Sequence, residues 1–345
     1  MEGERKPMLL YFTGKALKTQ TYCSISDTSK SNSIRILEFG KSKLLTVQHG
    51  WFLWENIISK YVSNLVLWNP YNLNKIILPP LEHNGTAIGD CILSSPPSAN
   101  HQTCSIYLFS SHRPSIFYYQ LGDQQWIEVC FFNGLVRGFA TQGTTPSVTC
   151  FDNPVYCNGC VYAGYHSTHY NDSLCAEYHS IVVVIEKHQL NGFTINCLFC
   201  LMRKHQPTSF QQLISHLIGS NNQLFRIEIF HVLGRVTAVV VYKFDCSQQV
   251  WETVQVFKLN ESNMTWIRVE SLKNHMLFLG KTSFSAVASI PGMENKIYFS
   301  RFYEHSLVFY SLETNNYHTF QHDQVVDIHN VKEHLKGTWI QPRWH

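Results

Sequence analysis

Four segments of the chain repeat one design, which is a strand-like run, a polar turn and a second short run that begins with an apolar or aromatic residue. The second runs begin near Ile76, Trp126, Trp266 and Tyr317, so successive starts lie 50, 140 and 51 residues apart. The middle distance is close to three steps of about 47 residues, and a period of roughly 40–50 residues is typical of the four-stranded blades of a β-propeller. Each blade of such a fold buries its two faces against its neighbours in a ring.

The repeat predicts an all-β fold, a single β-propeller domain of six or seven four-stranded blades over residues 1–345. Six blade ends fit the repeat, and residues 1–38 and 321–345 add or complete one more. Within these end segments, the aromatic stretch Trp339–Trp344 is expected to pair with the strand around Leu9–Phe12. The alternative is a pair of two-sheet β-sandwiches, which also contain many short strands separated by turns.

One segment breaks the pattern and predicts a short inserted helix near residues 208–218. Its apolar residues have the spacing of one helix face, and they are Phe210, Leu213, Ile214, Leu217 and Ile218. Ser209 with Gln212 fits a capping box, and Gly219 fits the end of a helix. Such a helix either packs against a neighbouring blade or docks a partner.

The weak, balanced charge of the chain limits the kinds of partner. Charged residues make up 15% of the sequence and the formal net charge is +3 at pH 7, whereas nucleic-acid binding needs a clustered basic face. No apolar run reaches the ~18 residues needed to span a bilayer, and the run Met8–Phe12 is shorter than a signal core. Because the 11 cysteines follow no export signal, reduced thiols and a cytoplasmic or nuclear location are expected. The composition therefore favours a protein partner over nucleic acid or membrane.

Two stretches of motif residues carry a family likeness. The first consists of His49–Leu53, Leu67–Pro70 and Ile77–Leu81, and the second consists of Trp266–Leu272, Leu277–Gly280, Ser283–Ser285 and Asn295–Phe299. In this order they resemble the plant KIB-type β-propeller family, whose members are usually F-box proteins. The likeness extends over residues 39–320 and agrees with the fold that the repeat predicts.

The resemblance implies that the propeller binds a protein, either a target of a ubiquitin ligase or a kinase of the shaggy type. Residues Met1–Gln20 lack the leucine-rich helical segment of an F-box, so the adaptor role in a ligase is not expected for this chain. Two other interpretations stay open. One is a small-molecule binder or enzyme that uses the central channel, and the other is a degenerate paralogue without a retained partner.

The motif residues themselves are interpreted as structural. Gly50 is expected in a tight turn before a buried strand, Asn69-Pro70 at the start of a turn, and Pro79-Pro80 at the end of a strand, since proline has no backbone donor. Three tryptophans are expected to pack between blades, and they are Trp51, Trp126 and Trp266.

The best chemical candidate is the pair Cys157 and Cys160, which flank the hairpin-turn signal Asn158-Gly159. Opposite positions across a hairpin, about 5.5 Å apart at Cα, suit a disulfide or half of a zinc site. The other ligands would come from His166, His169, Cys197 or Cys200.

Two features of the sequence argue against that metal site. Strand alternation places His166 and His169 on opposite faces, and Cys197 and Cys200 lie in an apolar run. Thiols without a metal are therefore the simpler interpretation. No catalytic, cofactor-binding or metal-binding residue is assigned, because the sequence contains no nucleophile elbow and no phosphate-binding loop. The chain is not expected to be an enzyme or to hold a cofactor.

Overall fold

The computed structural model describes residues 7–13, 19–25, 27–35, 42–70, 72–97, 104–113, 115–131, 149–167, 179–188, 192–198, 212–220, 223–233, 250–260, 265–303, 306–320, 333–334 and 337–340. These residues form 27 strands and no helix. Accordingly, no helix within these ranges is long and apolar enough to cross a membrane. The all-β prediction is confirmed for this part of the chain, and the reason is its richness in β-branched and aromatic residues.

The first three sheets contain strands β1 to β12 and the last strand of the described residues. Sheet one consists of β1 (Met8–Thr13), β2 (Thr19–Ser24), β3 (Asp27–Arg35) and β27 (Gly337–Ile340). Sheet two consists of β4 (Lys43–Gln48), β5 (Trp51–Ile57), β6 (Val62–Trp68), β7 (Lys75–Ile77) and β8 (Leu81–Glu82). Sheet three consists of β9 (Ile88–Leu93), β10 (Ser105–Ser110), β11 (Ser115–Gln120) and β12 (Ile127–Cys130).

The next three sheets contain the remaining strands. Sheet four consists of β13 (Thr149–Cys157), β14 (Cys160–Ser167), β15 (His179–His188) and β16 (Gly192–Leu198). Sheet five consists of β17 (Gln212–Ser220), β18 (Gln223–Leu233), β19 (Val250–Asn260) and β20 (Thr265–Arg268). Sheet six consists of β21 (His275–Leu279), β22 (Phe284–Val287), β23 (Lys296–Tyr303), β24 (Ser306–Ser311), β25 (Asn316–Thr319) and β26 (Glu333–His334). Strands β21 and β23 run parallel, and the other paired strands are antiparallel.

Buried apolar side chains form a cluster between each pair of successive sheets. Each sheet packs one face against the preceding sheet and the other face against the following one. Representative pairs from the six clusters, in sheet order, are Leu10–Phe52, Trp51–Leu108, Phe109–Phe151, Val184–Leu217, Ile227–Leu277 and Phe278–Trp339. The last cluster joins sheet six to sheet one. Every sheet therefore has two packed faces, which is why strands of this chain carry apolar residues on both sides.

The two ends of the described chain meet in sheet one. Strand β27 pairs with β1, with Leu9 opposite Trp339 and Met8 opposite Ile340. This is the pairing predicted between the aromatic C-terminal stretch and the strand around Leu9. Both Leu9 and Trp339 belong to the cluster between sheets six and one, so the last strand helps to bury the face of the first sheet.

The inserted helix predicted near residues 208–218 is wrong where the structure describes it. Residues Gln212–Ser220 form β17, which pairs with β18 along its whole length; residues 208–211 lie outside the described part. Leu217 packs between sheets four and five, whereas Ile218 packs between sheets five and six. The misleading i, i+4 spacing is an even offset, so it places residues on one face of a strand as well as of a helix. Because both faces of β17 are buried, both faces carry apolar residues, and together these residues complete the apparent helical pattern.

Candidate functional site

Polar side chains from several sheets meet where one edge strand of each of five sheets lies next to that of the following sheet. Strands β4, β9, β13, β17 and β22 follow one another in contact around this axis. The axial turn, which comprises residues Gly280–Ser283 after β21, reaches across to two of them. Thr282 Oγ1 lies 3.0 Å from Thr46 Oγ1 of sheet two, and Ser283 Oγ lies 3.3 Å from His216 Nδ1 of sheet five. The axial turn therefore ties non-adjacent sheets together.

Little space remains beside the axial turn. The cavity there is lined by residues that include Gln48, Asp90, Asn153, Leu217 and Lys281, and its volume is about 10 Å³. Such a volume holds about one water molecule. Within the described residues, this cavity gives no support to the interpretation that a small molecule occupies the central channel.

Two side chains at the end of β4 hold the end of β9. The Gln48 Oε1 atom accepts a hydrogen bond of 2.6 Å from the backbone N–H of Leu93. The neighbouring His49 ring is also hydrogen-bonded to the backbone of Leu93. Burial lowers the pKa of His49 below its usual value of 6.5, and the hydrogen bond to Leu93 opposes this shift only in part. His49 is therefore held neutral in the folded chain at pH values where an exposed histidine begins to take up a proton.

We expect His49 to make the fold less stable in acid. As the pH falls through about 6.5, the unfolded chain protonates this residue while the folded chain does not, so the free energy of unfolding falls until the lower folded-state pKa is reached. The variant His49→Asn removes this titration, and asparagine tolerates the positive φ of 53° at this position. Unfolding midpoints measured from pH 7.5 to pH 5 should depend less steeply on pH in the variant. Equal slopes for the two proteins would contradict the assignment.

The structure places Cys157 opposite Cys160 across the two-residue turn, as predicted. Neither thiol forms a disulfide, and Cys157 packs in the cluster between sheets four and five. Burial raises the pKa of the Cys160 thiol, and the nearby Glu186 carboxylate raises it further. A protonated thiol is a poor metal ligand and a poor nucleophile.

The other predicted ligands are less completely described. His166 lies in β14 and Cys197 in β16, but their side chains lie outside the described part of the chain, and so do His169 and Cys200 altogether. Among the described residues, no group of three potential metal ligands comes together. The metal interpretation therefore stays a prediction.

Two of the three motif tryptophans pack as predicted. Trp51 and Trp126 both contact the cluster between sheets two and three, and the Trp126 Nε1–H donates a 2.9 Å hydrogen bond to the carbonyl of Pro79. Trp266 lies in β20 opposite Leu259, and its side chain lies outside the described part. Gly50 occupies the turn between β4 and β5 with a φ of +76°, which agrees with the tight turn that the sequence predicted.

The most unusual surface of the described chain is the hairpin between β5 and β6. Ile57, Ile58 and Tyr61 expose 62%, 58% and 54% of their surface, although they lie within five consecutive residues. Scattered exposed apolar residues are ordinary, but a contiguous group marks an interaction surface. We call Ile57–Tyr61 the apolar hairpin. Lys60 is its only charged residue.

The apolar hairpin is held in one conformation by its own backbone and by a neighbouring turn. The N–H groups of Ile58 and Ser59 both donate to the carbonyl of Val62, and Ser59 Oγ accepts from the N–H of Tyr61. The N–H of His83 donates to the carbonyl of Tyr61 at 3.0 Å. Because its shape is fixed before a partner arrives, little ordering entropy would be lost on binding.

A buried polar chain lies beneath this hairpin. Ser63 Oγ donates a 2.9 Å hydrogen bond to Glu55 Oε1 and lies 3.2 Å from His83 Nε2. All three side chains are buried, and Lys43 Nζ lies 3.9 Å from the other Glu55 oxygen. The Ser63 hydroxyl therefore bridges the Glu55 carboxylate and the His83 ring. This chain fixes β5, β6 and the turn after β8 to one another.

Sequence reasoning missed both the apolar hairpin and the polar chain, although each left a signal. Ile57 and Ile58 are consecutive apolar residues at the end of a strand, where side chains no longer alternate between the core and the solvent. Glu55 shares its face of β5 with Trp51 and Leu53, which are core residues, so the alternation indicates an inward-facing carboxylate.

With this geometry in place, the comparison with protein families is decisive. The family model described as KIB1-4 beta-propeller matches residues 22–321 of the chain. The chain belongs to the KIB1-4 β-propeller family. The match covers sheets two to five, most of sheet six and part of sheet one, and it confirms the family that the motif residues resembled.

Other comparisons add little to the KIB1-4 assignment. No curated protein sequence matches the chain. A putative 6-phosphogluconolactonase from Bacteroides fragilis is 10% identical, with 99% of each chain covered and a TM-score of 0.37. Oligopeptidase B from Leishmania major is 9% identical with a TM-score of 0.36, and the match covers 94% of this chain and 49% of that one. The chain thus spans about half the length of the second protein, and neither likeness is close enough to carry an argument.

In this KIB1-4 propeller, the motif residues serve the fold. The stretch Leu277–Gly280 forms the end of β21 and the start of the axial turn, and Ser283 makes the contact with His216. Asn295 Oδ1 accepts from the N–H of Leu272 at 2.8 Å, which links two further motif segments. A site for a partner must therefore be sought elsewhere on the surface.

Proposed function

We propose that this chain is a protein-interaction module of six blades that binds another protein through the apolar hairpin of sheet two. The single observation that carries the proposal is the exposure of Ile57, Ile58 and Tyr61 on a rigid hairpin. Interfaces obtain most of their binding energy from a few apolar and aromatic side chains on a preorganised surface. By family resemblance, the partner is a kinase or a target of ubiquitylation.

The six-blade count is supported by the cyclic order of the buried clusters, in which sheet six packs on sheet one. A closed ring has rigid walls, and its loops and hairpins are free to carry specificity. None of the described cysteines Cys91, Cys104, Cys130, Cys157 and Cys160 forms a disulfide, which supports a reducing compartment such as the cytoplasm or nucleus. A small molecule in the central channel is the less supported alternative, since the cavity beside the axial turn has a volume of only about 10 Å³.

We expect the variant Ile58→Glu to lose the partner, because it places a charge at the centre of the apolar hairpin. Loss of a central apolar contact of this kind weakens binding at least about tenfold. The matched control is Ile77→Glu, which makes the same change at a residue of sheet two that is 74% exposed and lies outside the hairpin. Proteins captured from plant extract by the three forms are compared by quantitative mass spectrometry.

The expected result is a protein that wild type and Ile77→Glu retain and Ile58→Glu loses, followed by a direct binding measurement with that purified protein. A kinase or a ubiquitin-ligase target in this position would support the family-based proposal. If every reproducibly captured protein binds Ile58→Glu as well as wild type, the apolar hairpin is not the docking surface.

A further inference from the structure

A second concave surface lies on sheet six, on the face that turns towards sheet one. This groove has a volume of about 370 Å³, and its lining residues include Lys273, Glu294, Lys296, Phe309, Glu313 and His318. Volumes of this size lie within the range of sites for small ligands or short segments. The groove is much larger than the cavity beside the axial turn, and the proposed docking surface does not include it.

The floor of the groove is rigid. The rings of Phe309 and His318 are buried and stack at 5.4 Å between centroids with an interplanar angle of 8°. His318 Nε2 lies 2.7 Å from Thr314 Oγ1 of the adjoining turn, which fixes the imidazole. The Lys296 Nζ atom lies 4.2 Å from the centroid of Phe309, so its position is fixed by a cation–π contact. The floor therefore offers one localised positive charge above an aromatic ring.

The rim carries both signs of charge. Lys273, Glu294 and Glu313 are exposed side chains that line the same groove as Lys296. Among the described residues, no ion pair joins any two of these four charged groups. Two lysines and two glutamates thus line one groove.

We propose that this groove binds a polypeptide segment that carries an acidic and a basic side chain within a few residues of each other. A ligand with both charges can meet a lysine and a glutamate of the rim at once, whereas a purely acidic or basic ligand is repelled by one half of it. A neutral ligand leaves all four charges without a counter-charge. The hydroxyl groups of Ser311 and Thr314 supply further polar contacts for a peptide backbone. The proposal is independent of the apolar hairpin.

The test uses the full chain and the peptide acetyl-Gly-Glu-Ser-Lys-Gly-amide, with binding measured by saturation-transfer NMR at low ionic strength. Three comparison peptides replace both charged residues by glutamine, by two glutamates or by two lysines. We expect the mixed-charge peptide to bind at least about fivefold more tightly than each of the others. This preference should disappear in Lys273→Gln/Glu313→Gln, whose changed residues are both exposed and therefore leave the fold intact.

The matched control is Lys75→Gln/Glu82→Gln, which makes the same changes at exposed residues of sheet two and should keep the preference. A mixed-charge peptide that binds no better than the neutral one, or a preference that survives in the groove variant, would overturn the proposal. If an equal concentration of free lysine displaces the peptide, the groove binds a small zwitterion. That result would overturn the proposal that its ligand is a polypeptide segment. The variant Ile58→Glu should bind the peptide as wild type does. A negative result for the groove is therefore distinguishable from a negative result for partner binding at the apolar hairpin.

Discussion

Replacing Trp339 by alanine is expected to lower the free energy of unfolding by about 3–5 kcal/mol, the usual cost of deleting a large buried aromatic side chain. Trp339 has 0% exposure and contacts the ring of Phe278 edge to face at 5.0 Å between centroids. It also lies on β27, the strand that joins the end of the described chain to sheet one. The loss therefore creates a cavity where the sixth sheet packs on the first.

Urea unfolding followed by far-ultraviolet circular dichroism measures this effect. The control is Ile77→Ala, since Ile77 is 74% exposed and a surface truncation of this kind changes stability by no more than about 0.5 kcal/mol. If Trp339→Ala unfolds at the same urea concentration as wild type, β27 does not close the ring in solution.

Replacing Ser63 by alanine should cost about 1–3 kcal/mol, because it leaves two buried polar groups without their common partner. Within the described residues, the Ser63 hydroxyl links Glu55 Oε1 to His83 Nε2. Hydrogen exchange should also accelerate at the amides of Ile58 and Val62, which close the apolar hairpin. That local signature separates loosening of the hairpin from a general loss of stability.

The matched control for this change is Ser289→Ala, at an exposed serine in the connection after β22, for which we expect little effect. Circular dichroism during urea unfolding gives the stability of both variants. A Ser63→Ala protein with wild-type stability and unchanged amide exchange would show that the polar chain does not hold the hairpin.

The spacing of the repeated segments predicted the β-propeller architecture, because blades of similar length place equivalent strands at regular intervals along the sequence. Ile76 and Trp126 begin their runs about one blade apart and pack against the same cluster. The predicted helix was wrong over the segment Gln212–Ser220 because residues four apart share a face in both a helix and a strand. Only the pairing of β17 with β18 decides between them, and β18 lies beyond the window in which periodicity is read.

The candidate sites were harder to predict, for a different physical reason. The groove of sheet six brings Lys273, Lys296 and Glu313 together from separate segments, and no local pattern encodes such a meeting. The Glu55–Ser63–His83 chain likewise depends on the register of β5 with β6 and on the turn after β8. The thiol pair Cys157 and Cys160 was predictable because its two members flank a single two-residue turn.

The pairing of β1 with β27 has a consequence for the order in which the molecule is made. Strand β1 leaves the ribosome long before its partner Trp339 is synthesised, because β1 precedes every other described strand and β27 follows them. Until then, one edge of sheet one and the face of Leu9 that Trp339 covers have no partner, which is the kind of surface that aggregates or recruits chaperones. Maturation of this propeller is therefore a late, nearly all-or-none event, and a nascent chain stalled before β27 should depend on chaperones in a way that the finished protein does not.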